Sequence, residues 1–107
     1  MKIQFYTKNV ELPEKLKDQF EEKLLSLKKY KGNVDVLQVR VDVSRDQHHK
    51  SGDVYRVEVN IDVPGTVLRS VETAADILSA LDVVAEKLER QSRDLKDKII
   101  TKRKRGQ

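Results

Sequence analysis

Two periodicities take turns along the chain. Met1, Ile3 and Phe5 alternate with Lys2, Gln4 and Tyr6. This is the period-2 pattern of a strand with one buried face, ending near Lys8-Asn9. Pro13 suits the first turn of a helix, where its missing N–H costs nothing, and Glu14 suits the positive end of the helix dipole. Leu16, Phe20, Leu24 and Leu27 then form an apolar helical stripe, and Gly32-Asn33 is its stop signal. Period 2 returns with Leu37, Val39, Val41 and Val43 opposed to Gln38, Arg40, Asp42 and Ser44. Arg45 to Asp53 reads as a polar loop with turn chemistry at Ser51-Gly52-Asp53. Another strand follows, with Tyr55, Val57, Val59, Ile61 and Val63 inward and Arg56, Glu58, Asn60 and Asp62 outward. The two strands make an antiparallel hairpin whose outward charges are expected to pair across it.

Pro64-Gly65 is a turn, and Thr66 to Glu72 a fourth strand whose facing the pattern leaves open. Thr73, with Asp76 three residues later, predicts a capping box for a last helix running to about Arg105. Its stripe is Ala74, Ile77, Leu78, Leu81, Val84, Ala85 and Leu88, recurring at steps of three and four. Val83 lies off that stripe among polar neighbours and reads as an incidental exposed residue. The order β-α-β-β-β-α predicts an α+β fold, a four-stranded mixed sheet with two helices packed on one face. The helical connection makes strands one and two parallel with a right-handed crossover. Residues 1–100 are expected to form a single domain and residues 101–107 a flexible basic tail.

Charge changes the picture from fold to function. The chain of 107 residues carries a formal net charge of +4. From Glu86 to Gln107 there are nine Lys/Arg against four Asp/Glu, whereas the remainder holds thirteen against fourteen. The whole excess therefore rides on the last helix and its extension, which points to a polyanion as partner. Lys102 to Arg105 are four consecutive cations, a cluster that binds phosphates by counterion release with little sequence preference. Tyr6, Tyr30 and Tyr55 are not spaced as a stacking platform, so folded, backbone-rich RNA fits better than stacked single strands.

Other chemistry is poorly supplied. Equal hydrophobic and charged fractions, 37% each, predict a thin interior. The chain has no Cys, which excludes disulfides, thiolate metal sites and a cysteine nucleophile, and suits a reducing cytoplasm. No apolar run approaches the ~18 residues that span a membrane, so no membrane association is expected. His48 and His49 are adjacent in a polar loop with no third ligand at a telling spacing, and read as solvated rather than as a metal site. Asp42, Glu58 and Asp62 have Arg40 or Arg56 nearby, so ion pairing outweighs general acid–base work. Each of Gly32, Gly52 and Gly65 is explained by a turn, leaving no phosphate loop. The expectation is a non-enzyme without metal or cofactor.

The run Asp76-Ile77-Leu78-Ser79-Ala80-Leu81-Asp82, with Glu86-Lys87-Leu88-Glu89-Arg90-Gln91 and then Arg93, Lys96, Asp97 and Lys98, resembles the signature helix of the ribosome hibernation promoting factors. These are ribosome-associated inhibitors of the sigma-54 modulation protein family. The similarity extends to the Ile3-Gln4-Phe5 strand, the Asn9-Val10-Glu11-Leu12 entry to the first helix and the valine-rich hairpin. It implies a cytoplasmic protein that occupies the decoding region of the small ribosomal subunit, on its 16S-type rRNA. There it would exclude messenger and transfer RNA and so inhibit translation in stationary phase or stress.

Carried over by position, RNA contact falls on Lys87, Arg90, Arg93, Lys96 and Lys98. The tail cations Lys102 and Arg103 join them, with Lys23, Lys28 and Lys29 of the first helix as weaker contributors. Leu78 stands where the family often has Tyr, and Ser92 where an apolar residue is usual. Long members add a second domain that dimerises ribosomes, and one short subclass ends in acidic residues; the basic ending here is nearer to the short hibernation promoting type. A monomer is expected, needing a separate factor to pair ribosomes. The alternative is a general binder of double-stranded or structured RNA, although that class spaces its contacts for two minor grooves rather than along one helix. A module that binds acidic protein is a third reading, since attraction alone does not identify the polyanion.

Overall fold

The computed structural model describes residues 3–26, 36, 38–46, 52 and 54–105, with the side chains of residues 96–105 outside that description. The elements are β1 (Ile3–Lys8), α1 (Glu14–Ser26), β2 (Gln38–Asp46), β3 (Val54–Val63), β4 (Thr66–Ala74) and α2 (Ile77–Arg105). The sheet order is β1-β2-β3-β4, with β1 parallel to β2 and the other two pairings antiparallel. The four-stranded mixed sheet and two helices are the predicted fold.

Register stacks the inward side chains in rows. Ile3, Val39, Ile61 and Leu68 make one row, and Phe5, Val41, Val59 and Ser70 the next. Val39, Val41, Val43, Val57, Val59 and Ile61 are almost wholly inaccessible, and Phe20 and Leu24 of α1 join them in the core. Phe20 meets the Phe5 ring edge-on, with centroids 6.0 Å apart at 89°, the arrangement favoured by ring quadrupoles. Ile77, Ala80, Leu81, Val84 and Leu88 bring α2 into the same core. Leu27, Gly32-Asn33, Leu37 and His48-His49 lie outside the described residues.

The polypeptide turns where its residues tolerate it. Asn9 leaves β1 with φ 58°, a left-handed conformation that Asn accepts more readily than most residues. Pro13 stands just ahead of α1, its carbonyl accepting the N–H of Leu16 at 2.9 Å and of Lys17 at 3.1 Å. Gly65 (φ 85°) after Pro64 closes the β3–β4 hairpin, and the positive φ there is what requires glycine.

The structure departs from the sequence reading at several points. Thr73 and Ala74 belong to β4, paired with Arg56 and Tyr55, so α2 begins later than expected. Its cap is Asp76, whose carboxylate accepts the Ser79 N–H at 2.8 Å and the Ser79 hydroxyl at 2.8 Å; these bonds hold its pKa below the usual Asp value. Leu78 is 38% exposed while Ala80 is fully buried. Leu78 sits one residue round the helix from Ile77, about 100° away, which carries it off the packed side. Arg45 and Asp46 extend β2 opposite Tyr55 and Val54 instead of opening a loop. Val83, 36% exposed, lies off the core.

Candidate nucleic-acid interface

The solvent face of the sheet is rich in charge but compensates itself. Register sets Asp42 directly opposite Glu58, so the expected pairing across the β2–β3 hairpin would oppose like charges. Ion pairs run along the strands instead: Arg40 to Asp42 at 3.1 Å and Arg56 to Glu58 at 2.8 Å. Arg69 reaches across from β4 to the same Glu58 carboxylate at 3.3 Å. The Asn60 amide, with Arg56 and Arg69, lowers the Glu58 pKa to about 2. A carboxylate so held stays ionised at neutral pH and has no proton to trade. Arg40 also lies over the Tyr6 ring, 4.3 Å from its centroid. Gln38, Arg40, Asp42, Arg56, Glu58, Asn60, Asp62 and Val67 line an open depression on this face. It is open, and the shift it imposes on Glu58 is downward, away from the neutral range that acid–base chemistry needs. Among the described residues no three His, Cys, Asp or Glu side chains group as a metal site, and no helix is long and apolar enough to cross a membrane.

The cations of α2 are distributed unevenly along it. From Ile77 to Leu95 the helix holds three Lys/Arg and four Asp/Glu; residues 96–105 hold six against one. The half that packs on the sheet is thus balanced, and the positive excess rides on the continuation, where helical backbone runs to Arg105. At ~1.5 Å per residue the 29-residue helix is about 43 Å long. Its C-terminal position also suits cations, because helix carbonyls there present partial negative charge.

The predicted contact residues fall into distinct settings. Arg90 and Arg93 are exposed on α2. Lys96, Lys98, Lys102 and Arg103 lie on the helical backbone beyond, outside the described side chains. Lys87 is engaged within the molecule: its Nζ is 2.9 Å from Glu72 Oε2 and 3.5 Å from the Val71 carbonyl oxygen. Lys23 lies 3.3 Å from Asp82 Oδ1, an ion pair that bridges the two helices. Lys28 and Lys29 lie outside the described residues.

Sequence reasoning missed Gln91. Its side-chain amide donates to the Arg69 carbonyl oxygen at 2.8 Å, and its Oε1 accepts the Arg69 N–H at 3.2 Å. β4 is an edge strand, and Gln91 supplies the two hydrogen bonds that a fifth strand would make there. The available signal was the spacing from Lys87 to Gln91, i and i+4, on the flank of the apolar stripe.

With this geometry in place, the family model described as Sigma 54 modulation protein / S30EA ribosomal protein matches residues 3–100. The chain belongs to that family. It is 33% identical over 99 residues to a ribosome hibernation promotion factor of Deinococcus radiodurans, covering 92% of this chain and 51% of that one. The crystal structure of the Thermus thermophilus Protein Y N-terminal domain superposes with a TM-score of 0.75 at 28% identity, covering 89% of this chain and 99% of that one. A ribosomal subunit interface protein from Coxiella burnetii shares the fold, with a TM-score of 0.76 at 20% identity over 91% of this chain and 99% of that one. The chain spans about half the length of the curated relatives it matches.

Proposed function

We propose that this chain binds the ribosome as a hibernation factor does, docking on RNA of the small subunit through α2. The observation that carries the reading is the concentration of positive charge, six Lys/Arg against one Asp/Glu, in residues 96–105 of a single long helix. A helical scaffold presents those cations to phosphates without the ordering cost that a coil would pay. Membership of the S30EA family, and relatives named for ribosome hibernation, support the ribosome as that polyanion. Arg90, Arg93, Lys96, Lys98, Lys102 and Arg103 are the contacts, with Lys23, Lys28 and Lys29 peripheral. The mode of action is occlusion: a rigid domain in the decoding region leaves no room for messenger and transfer RNA, and translation stops in the cytoplasm of slow-growing or stressed cells.

Co-sedimentation with isolated small ribosomal subunits, at about physiological ~0.15 M salt, tests this with naked duplex RNA as competitor. Saturable one-to-one binding that survives excess duplex is expected. If duplex strips the protein away at comparable concentration, a general structured-RNA binder replaces the ribosomal reading.

A further inference from the structure

We propose that Lys87 and Gln91 are positioning residues that clamp α2 to the open edge of β4, and that Lys87 is not a phosphate ligand. The inference rests on the RNA-binding reading and divides its basic helix into two jobs. Lys87 and Gln91 are one helical turn apart, so both side chains leave α2 on the same flank. There they meet successive outward-facing backbone positions of β4. Gln91 takes both the N–H and the carbonyl of Arg69. Lys87 takes the carbonyl of Val71 and the carboxylate of Glu72. The Lys87 ammonium lowers the Glu72 pKa, with the Thr73 N–H adding to the effect.

Two consequences follow for the helix. An apolar stripe alone lets a helix roll or slide on a sheet, because the hydrophobic effect is non-directional. Four directed contacts along five residues fix both rotation and register, and so fix the course of the helical backbone beyond Leu95. The same contacts occupy an edge that would otherwise present unpaired backbone groups to other chains. Two of the three Lys87 ammonium donors already go to Val71 and Glu72, and the Glu72 carboxylate offsets its charge, whereas Arg90, three residues on, is exposed with no partner among the described residues.

The test is the affinity for isolated small ribosomal subunits, measured against salt from ~0.05 to ~0.3 M, for four variants and one control. The variants are Lys87→Met, Glu72→Gln, their double, and the swap Lys87→Glu with Glu72→Lys; the control is Arg90→Gln. A positioning role predicts that either single change weakens binding by the same factor, about two- to fivefold for an exposed pair. The double should be no worse than the singles, the swap should recover affinity, and the salt slope should not change. A slope lower by about one for Lys87→Met alone, with Glu72→Gln harmless, overturns the proposal, because that is the loss of one phosphate contact. Unchanged affinity in every Lys87 and Glu72 variant overturns it as well. The control isolates the parent reading: Arg90→Gln should lower the slope by about one, and a flat result there counts against RNA contact by α2, not against the clamp. The clamp has its own readout in the free protein. The Arg69 amide should be protected from hydrogen exchange and lose that protection in Gln91→Ala; fast exchange at Arg69 in the unaltered protein would remove the Gln91 contact.

Discussion

The N-terminal and C-terminal halves of α2 hold the same residue types in different proportions. From Ile77 to Leu95 cations and carboxylates balance, and Lys87 is spent on Glu72. From Lys96 to Arg105 they do not balance, and the surplus gives the molecule its long-range field. The solvent face of the sheet makes the same point from another side, since Arg40, Arg56 and Arg69 all sit within ion-pair distance of a carboxylate. A count of Lys and Arg therefore does not mark a candidate RNA surface, and under the proposed function local imbalance is the mark to test.

The largest expected effect separates the two halves directly. Neutralising Lys96, Lys98, Lys102 and Arg103 to Gln should weaken binding to small subunits about a hundredfold or more and lower the salt slope by about three to four. Changing Arg90 and Arg93 to Gln should cost about tenfold or less, with a slope lower by about two at most. Fluorescence anisotropy across a salt series reads both quantities. If the Arg90/Arg93 pair proves the more damaging, the recognition surface lies on the N-terminal half and the C-terminal half is only a solubilising extension.

A second prediction works through the support of the packed half. Glu58 holds Arg69 from the solvent face, while the Arg69 backbone seats Gln91 from the edge. With the Glu58 pKa lowered from 4.5 to about 2, the stabilisation it contributes is complete above the unfolded-state pKa and is lost as pH falls toward 2. After allowance for solvent screening it is worth about 1–2 kcal/mol. Glu58→Gln should lose that amount at neutral pH and flatten the stability profile between pH 4.5 and 2. Urea unfolding at a series of pH values measures it. An unaltered acid limb would mean that other carboxylates govern acid unfolding.

Most of this architecture was legible in the sequence because valines at alternate positions of β2 and β3 leave one strand solution and one buried face. The facing of β4 and its last two residues were not, and the reason is local. Its core-facing positions are Leu68, Ser70 and Glu72, in register with Ile61, Val59 and Val57, so hydrophobicity does not alternate there. Thr73 and Asp76 are both good caps, and only pairing with Arg56 shows that the strand claims Thr73. The charge surplus of α2 could be read directly from composition. The removal of Lys87 from it could not, because its partner Glu72 lies fifteen residues away and meets it only once the strand edge is assembled. The along-strand ion pairs were hidden for the same reason, since they follow from the register that places Asp42 opposite Glu58.

The smallest effect concerns the buried side of the packed half and should leave binding untouched. Ser92 is 2% exposed, and its hydroxyl has no hydrogen-bond partner among the described residues, as is true of Ser70 on β4. A buried hydroxyl without a partner has given up its hydration and received nothing for it. Ser92→Ala removes that loss and adds the better helix propensity of alanine, at the cost of a small void. The sum should favour the variant by about 0.5–1 kcal/mol, visible as a rise in Tm of a few degrees. Affinity and salt slope should remain those of the parent chain, because no cation moves. A stabilised variant with weakened binding would show that the course of the C-terminal half depends on packing at Ser92 as well as on the Lys87–Gln91 clamp. The two halves would then be mechanically one.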